Sequence, residues 1–126
     1  MIDALFTDSY YVTAKKMLDV SVLRHEAIAS NLANIETPNY KRVDVSSSFE
    51  SQLQTAIQSG DSTAVSSLTP LLAVDTSAVS GRADGNTVQL ENELLKMNEN
   101  TVANAAATEM INESMARMRM AVTGKS

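Results

Sequence analysis

His25 is the only histidine in the chain, and Ser21 stands four residues before it. On a helix that spacing puts both side chains on one face, as a general base beside a hydroxyl nucleophile requires. Ser30 lies a little further along the same segment. The rest of that chemistry is missing. No Gly-x-Ser-x-Gly turn raises a serine, and no third group orients the ring. With no cysteine and no second histidine, a nitrogen- or sulfur-rich metal site cannot be completed. Asp84-Gly85-Asn86 opens like a calcium loop, but the ligands that must follow at fixed spacing are absent, so it reads as a turn before a capped helix. There is no Gly-rich phosphate loop. These residues argue against an enzyme and against a metal or other cofactor. His25 reads as a polar residue satisfied within a helix interface.

A different chemistry is concentrated in residues 28–42, Ile-Ala-Ser-Asn-Leu-Ala-Asn-Ile-Glu-Thr-Pro-Asn-Tyr-Lys-Arg. Three asparagines, Asn31, Asn34 and Asn39, surround an apolar stripe of Ile28, Leu32 and Ile35. Asparagine is a poor residue inside a helix because its amide competes for nearby backbone groups. Its use here implies partners for the amides. Pro38 lacks an N–H and pushes Thr37 toward an extended conformation, so the helix must stop at this point.

The elements that position these residues are two long helices. The first is expected over 8–35, with Thr7 or Asp8 as its cap. Read in sevens, it carries Tyr11, Leu18, His25 and Leu32 at one position and Ala14, Ser21, Ile28 and Ile35 at the companion position. The second is expected over 87–123, with Asn86 as N-cap, Glu91 and Glu93 near its positive end, and Arg117, Arg119 and Gly124 marking the other. Its frame is Leu90, Met97, Asn104, Ile111, Met118 and Leu94, Thr101, Thr108, Met115, Val122. The fold class is therefore mainly α: an antiparallel, coiled-coil-like hairpin of two terminal helices. Ser21 and His25 should face Thr101, Asn104 and Thr108 as a polar layer that fixes register. Ala103, Ala105, Ala106 and Ala107 permit close approach of a neighbouring helix. Five of the seven methionines fall within 97–126, which suits an adaptable interface as well as ordinary core filling.

Three segments follow: 1–43 with the first helix and its junction, a polar variable middle over 44–86, and 87–126 with the heptad helix. The middle holds ten Ser, four Thr and three Gly. One short helix is expected there, capped by Ser48, with Phe49, Leu53, Ala56 and Ile57 as its face and Gly60 as its end. Leu71-Leu72-Ala73-Val74 reads as a weak strand or docking segment, and the remainder as flexible loop. The net charge of −5 is carried mostly by this middle, which has five acidic side chains against one basic. No basic patch recommends nucleic acid, no polybasic stretch recommends an anionic membrane, and no apolar run is long enough to span one. Residues 1–6 lack the basic and apolar regions of a cleavable secretory signal.

Ala29, Ser30, Asn31, Leu32, Ala33, Asn34, Thr37, Pro38, Tyr40 and Lys41 fit the N-terminal signature of the flagellar basal-body rod proteins, A-S-N-L-A-N-x-x-T-P-x-Y-(K/R). Residues 84–93 resemble a second rod segment, D-G-N-x-V-x-(L/M)-x-x-E, typical of a proximal rod subunit. The family often carries a Tyr-Gln pair where this chain has Asn100–Asn104. The resemblance implies a structural subunit that assembles helically, linking the inner-membrane ring and export gate to the rest of the rod. It implies a periplasmic basal-body location reached through the flagellar type III export gate without a cleaved signal. The implied partners are other rod subunits, the ring–rod junction protein and the export gate. Interface residues are then expected among Asn31, Leu32, Asn34, Thr37, Pro38 and Tyr40 of the signature, which would anchor the helix-to-middle junction between subunits. Leu90, Leu94, Met97, Asn104, Ile111, Met115 and Met118 are expected from the heptads. The rival readings are a sister proximal rod subunit, a needle or inner-rod subunit of a virulence secretion system, and a soluble helical-hairpin adaptor.

Overall fold

The computed structural model describes residues 8–124. The suggested cap Thr7 and the N-terminal residues 1–6 lie outside the described residues. Helix α1 runs Ser9–Ala33 and α4, the last helix, Leu90–Thr123. At 1.5 Å per residue α4 is about 50 Å long, and the two helices pack antiparallel as expected. Moving along α1 from Tyr10 through Ser21 to Asn31, the partner on α4 retreats from Glu113 through Asn104 and Asn100 to Glu93.

The seam differs from the heptad expectation in one row of each helix: on α1 the row Tyr11, Leu18, His25 and Leu32 is half-buried to exposed. Ala14, Ser21 and Ile28 of α1 are buried in it, as read. On α4 the row Met97, Asn104, Ile111 and Met118 also faces it, from half-buried to buried. The second row of the seam, however, is Glu93, Asn100, Ala107 and Ser114, all at most 5% exposed. Leu94, Thr101, Thr108, Met115 and Val122 lie outside it and are exposed. Small and polar side chains let the two backbones approach closely, and their polar atoms find partners across the seam. A larger leucine row would hold the helices apart.

The middle segment folds more fully than its composition suggests. Strand β1 (Val43–Val45) pairs antiparallel with β2 (Leu72–Val74), Asp44 opposite Ala73. Backbone bonds from Ser46 to Leu71 and from Asp75 to Arg42 extend the ladder at both ends. Between the strands lie α2 (Ser47–Ser59) and α3 (Ser62–Ser67). Helix α2 begins one residue before the expected cap Ser48; Gly60 closes it with φ 71°, as the C-cap requires. Helix α3 falls where a loop was expected. Asp61 nucleates it, its carboxylate accepting from the N–H groups of Thr63 and Ala64. Phe49, Leu53 and Ala56 of α2 and Val65 of α3 form the core with Val20 of α1 and Val45 of β1, while Ile57 stays exposed. The middle thus covers one side of the hairpin. The side carrying Tyr11, Leu18, Val22 and His25 is not part of that core.

Candidate functional site

The signature residues form a junction at one end of the hairpin. Asn31 is fully buried at the last turn of α1. Its Nδ2 donates to the Val43 carbonyl (2.9 Å) and to Glu93 Oε2 (3.2 Å), and its Oδ1 accepts from the Val43 N–H (2.8 Å) and the Tyr40 hydroxyl (3.3 Å). One amide therefore holds the start of β1, the aromatic ring and α4 together. Tyr40 also reaches Ser30 Oγ at 3.1 Å. Asn34 works locally: Nδ2 donates to the Ser30 carbonyl, and Oδ1 accepts from the Thr37 hydroxyl. Asn39 adopts a left-handed φ of 61°. Gly85, at φ 77°, faces it so closely that a Cβ there would sit 2.7 Å from Asn39 Oδ1. A side chain here would be strained by the positive φ and would push the Asn39 amide aside. Leu32 is half-buried, and Thr37 and Pro38 are exposed at the tip.

Asn86 does not cap α4, whose N-cap is Gln89. It binds the turn that follows the other helix. Buried to 1% exposure, its Nδ2 lies 2.8–3.1 Å from the carbonyls of Asn34, Ile35 and Thr37, and its Oδ1 accepts from the Val88 N–H. Arg82 donates to the Ile35 carbonyl as well. These carbonyls belong to the turn that follows α1, and Asn86 adds to the donors they already have in the Thr37 N–H, the Tyr40 N–H and Arg82. The Asp84-Gly85-Asn86 turn thereby ties the turn after α1 to the entry of α4 through Asn86.

Behind Asn31 lies an ionic hub that sequence reasoning did not find. Arg42, 4% exposed, pairs with Glu93 Oε1 (2.6 Å), Asp75 Oδ2 (2.5 Å) and Asp44 Oδ2 (3.2 Å). Burial pulls the guanidinium pKa down, but the bonds to Glu93 and Asp75 outweigh it and hold it above its ordinary value. The Ser77 hydroxyl, and after it Arg42, hold the Asp75 carboxyl below the usual range. Arg24 bridges Asp44 and Glu50, tying α1 and α2 to the hub. At the far end, Tyr10 donates to Glu113 at 2.8 Å, and Arg117 lies 4.7 Å over its ring. The Glu113 bond raises the Tyr10 pKa.

The central polar layer is narrower than expected. Ser21 is its axis: its carbonyl accepts from Asn100 Nδ2 and its hydroxyl from Asn104 Nδ2, both at 2.8 Å. Asn100 Oδ1 is buried without a partner among the described residues. Thr101, Thr108 and His25 stand outside the layer and are exposed. Ser21, Val22, His25, Asn100, Thr101 and Asn104 line an open groove of about 520 Å³ between α1 and α4. The remaining members of the heptad rows flank it by helical spacing: Tyr11 and Leu18 on α1, Leu94 and Met115 on α4. Leu90, Leu94 and Met115 are 41–49% exposed. Leu90, Leu94 and Met115 thus leave apolar surface exposed beside a groove whose own lining is mostly polar.

Fold and junction together define a long two-helix hairpin, locked internally by its asparagine and arginine contacts, with Leu90, Leu94 and Met115 exposed along one side. No protein-family model matches the chain. Two curated proteins are similar to it, and both are flagellar basal body rod protein FlgB. The one from Borrelia hermsii is 50% identical over 44 residues, 35% of this chain and 31% of the relative. The one from Borreliella burgdorferi is 48% identical over 46 residues, 36% of this chain and 33% of the relative. The similarity thus spans about a third of the length of each relative. The rod-protein resemblance read from the signature is one of similarity to FlgB.

Proposed function

We propose that the chain is a structural subunit of the flagellar proximal rod, assembling helically to connect the inner-membrane ring and export gate with the rest of the rod. The observation that carries this reading is the near-half identity to two FlgB proteins. The structure supports it with a hairpin that leaves one apolar face uncovered while the signature residues hold the junction rigid. The subunit is non-enzymatic in this reading. Its partners are neighbouring rod subunits and the ring–rod junction protein, and it travels through the type III export gate to the periplasm. The signature acts first within the chain: Asn31 and Asn86 fix the angle at which the helices leave the junction. The exposed tip at Thr37 and Pro38, with the row containing Leu94 and Met115, makes the contacts between subunits. Deletion of the encoding gene, followed by imaging of isolated basal bodies, tests the proposal. The expected result is immotile cells whose basal bodies lack the rod, restored by the intact chain. Complete rods in the deletion strain would overturn it.

A further inference from the structure

Asp84-Gly85 is the only place in the chain where an aspartate or asparagine precedes a glycine. With no side chain beside it, a glycine nitrogen is unshielded and its backbone turns freely. In an open chain that nitrogen attacks the preceding carboxyl. The N–Cγ bond forms, the Cγ–OH bond of the protonated carboxyl breaks, and the amide proton leaves with the hydroxyl as water. Water then cleaves the resulting cyclic imide at one of its two carbonyls. Cleavage at Cγ restores aspartate. Cleavage at the main-chain carbonyl gives isoaspartate, in which the chain runs on through the former side chain. The reaction needs no oxidant, metal or enzyme.

In the folded chain every group that this reaction must move is held. The Gly85 N–H, the nucleophile, donates to the Arg82 carbonyl at 3.2 Å. Asp84 Oδ2 accepts from Arg82 Nη2 and Oδ1 from the Asn86 N–H, both at 3.0 Å. The Asp84 carbonyl accepts from the Asn39 N–H at 2.8 Å, and the Gly85 carbonyl from Lys41 Nζ at 2.7 Å. Closing the imide ring turns the carboxyl over the Gly85 nitrogen, which breaks both carboxylate bonds and takes the nitrogen from Arg82. We propose that Asp84 is a site of isoaspartate formation that the junction shuts off, so that the modification falls on chains whose junction has opened. The product does not fit back. It adds one carbon, about 1.5 Å of main chain, just before Asn86, whose Nδ2 must reach three carbonyls at 2.8–3.1 Å. An opening event is thereby recorded in the covalent structure. This chemistry is the same whether or not the chain builds a rod.

The purified full chain is incubated in warm neutral buffer with and without guanidinium chloride. Isoaspartate is read by methyl transfer from S-adenosylmethionine with an isoaspartyl methyltransferase, and is located by peptide mapping, where it separates from aspartate at equal mass. The expected result is steady labelling at residue 84 in denaturant and labelling slower by about tenfold or more in native buffer, as for a group that reacts only from an opened state. Arg82→Gln, shown to be folded by circular dichroism, should label in native buffer faster than the parent. Asp84→Glu, which cannot close the same ring, should abolish labelling at this position in denaturant, where folding plays no part. Modified chains returned to native buffer should melt below the parent. Equal parental rates in the two conditions would overturn the proposal. So would labelling in denaturant that maps to the exposed Asp61 and spares Asp84, a folded Arg82→Gln chain that labels at the parental native rate, or modified chains that melt like the parent.

Discussion

Replacing Asn86 by aspartate separates two roles that a sequence cannot distinguish. Aspartate is as good an N-cap as asparagine, and its charge favours a helix N-terminus. If Asn86 capped α4, the change would be neutral or stabilising. In the structure its amide N–H groups serve three carbonyls at the end of α1, and only its Oδ1 serves Val88. Aspartate keeps the bond to Val88, loses both donors and turns a carboxylate oxygen toward the carbonyls. The carbonyls keep the Thr37 N–H, the Tyr40 N–H and Arg82 as donors, so the cost is that of lost amide bonds and of a carboxylate set beside carbonyls, about 3 kcal/mol. That is a large share of the roughly 5–15 kcal/mol that holds a domain together. For a chain of this size it lowers the melting temperature by about 10–20 °C. Urea and thermal unfolding followed at 222 nm would measure it. An Asn86→Asp variant within about 0.5 kcal/mol of the parent, the range of an ordinary surface change, would refute the clamp.

Glu93→Gln leaves Arg42 buried with one fewer charge partner and destabilises by about 3 kcal/mol, as breaking a buried pair does; denaturant midpoints check this. Because the folded Asp75 carboxyl sits below the unfolded value of about 3.9, its contribution is complete above that pH and is lost as pH falls through the folded value. Stability attributable to Asp75 is therefore level between pH 7 and 5 and declines below about pH 4, and Asp75→Asn has a shallower acid limb in melting curves across that range. Leu94→Glu and Met115→Glu alter exposed positions. They should shift monomer stability by no more than about 0.5 kcal/mol while abolishing motility, so a motile double variant with normal rods removes the open face from assembly.

The long helices were legible because their periodicity runs for many turns. Which rows meet was only half legible. Hydropathy selects Leu94 and Met115 over Glu93, Asn100 and Ser114, yet the latter form the seam, because an apolar row looks the same whether its partner lies in the chain or in a neighbour. The three residues of β1 are too few to show alternation. The serine-rich sequence of α3 hides a helix whose only local signal is Asp61 followed by Ser62 and Thr63. Arg42 and Glu93 lie 51 residues apart in sequence, and no local spacing announces such a pair. Of the three asparagines expected to need partners, Asn31 finds distant ones and Asn34 local ones, while the Asn39 side chain makes no hydrogen bond among the described residues. Which partners they take depends on the fold of the middle segment.

The hairpin is closed at the Asn31 end and open at the Tyr10 end, which gives its unfolding a direction. Contacts at the closed end span 51–62 residues of chain, those in the middle 79–83, and the Tyr10–Glu113 clasp 103. Closing a loop twice as long costs only about 0.6 kcal/mol more, but the clasp and the Arg117 contacts beside it are solvent-exposed, whereas the closed end is buried and multiply bonded. Folding accordingly zips from the junction toward the chain ends, and fraying runs the other way. Hydrogen exchange within the two long helices should be fastest in the first turns of α1 and the last turns of α4, and slowest around residues 28–44 and 86–96. On this ordering the Tyr10 end opens first while the junction stays shut, so opening there does not release β1, Asn31 and Arg42 from α4.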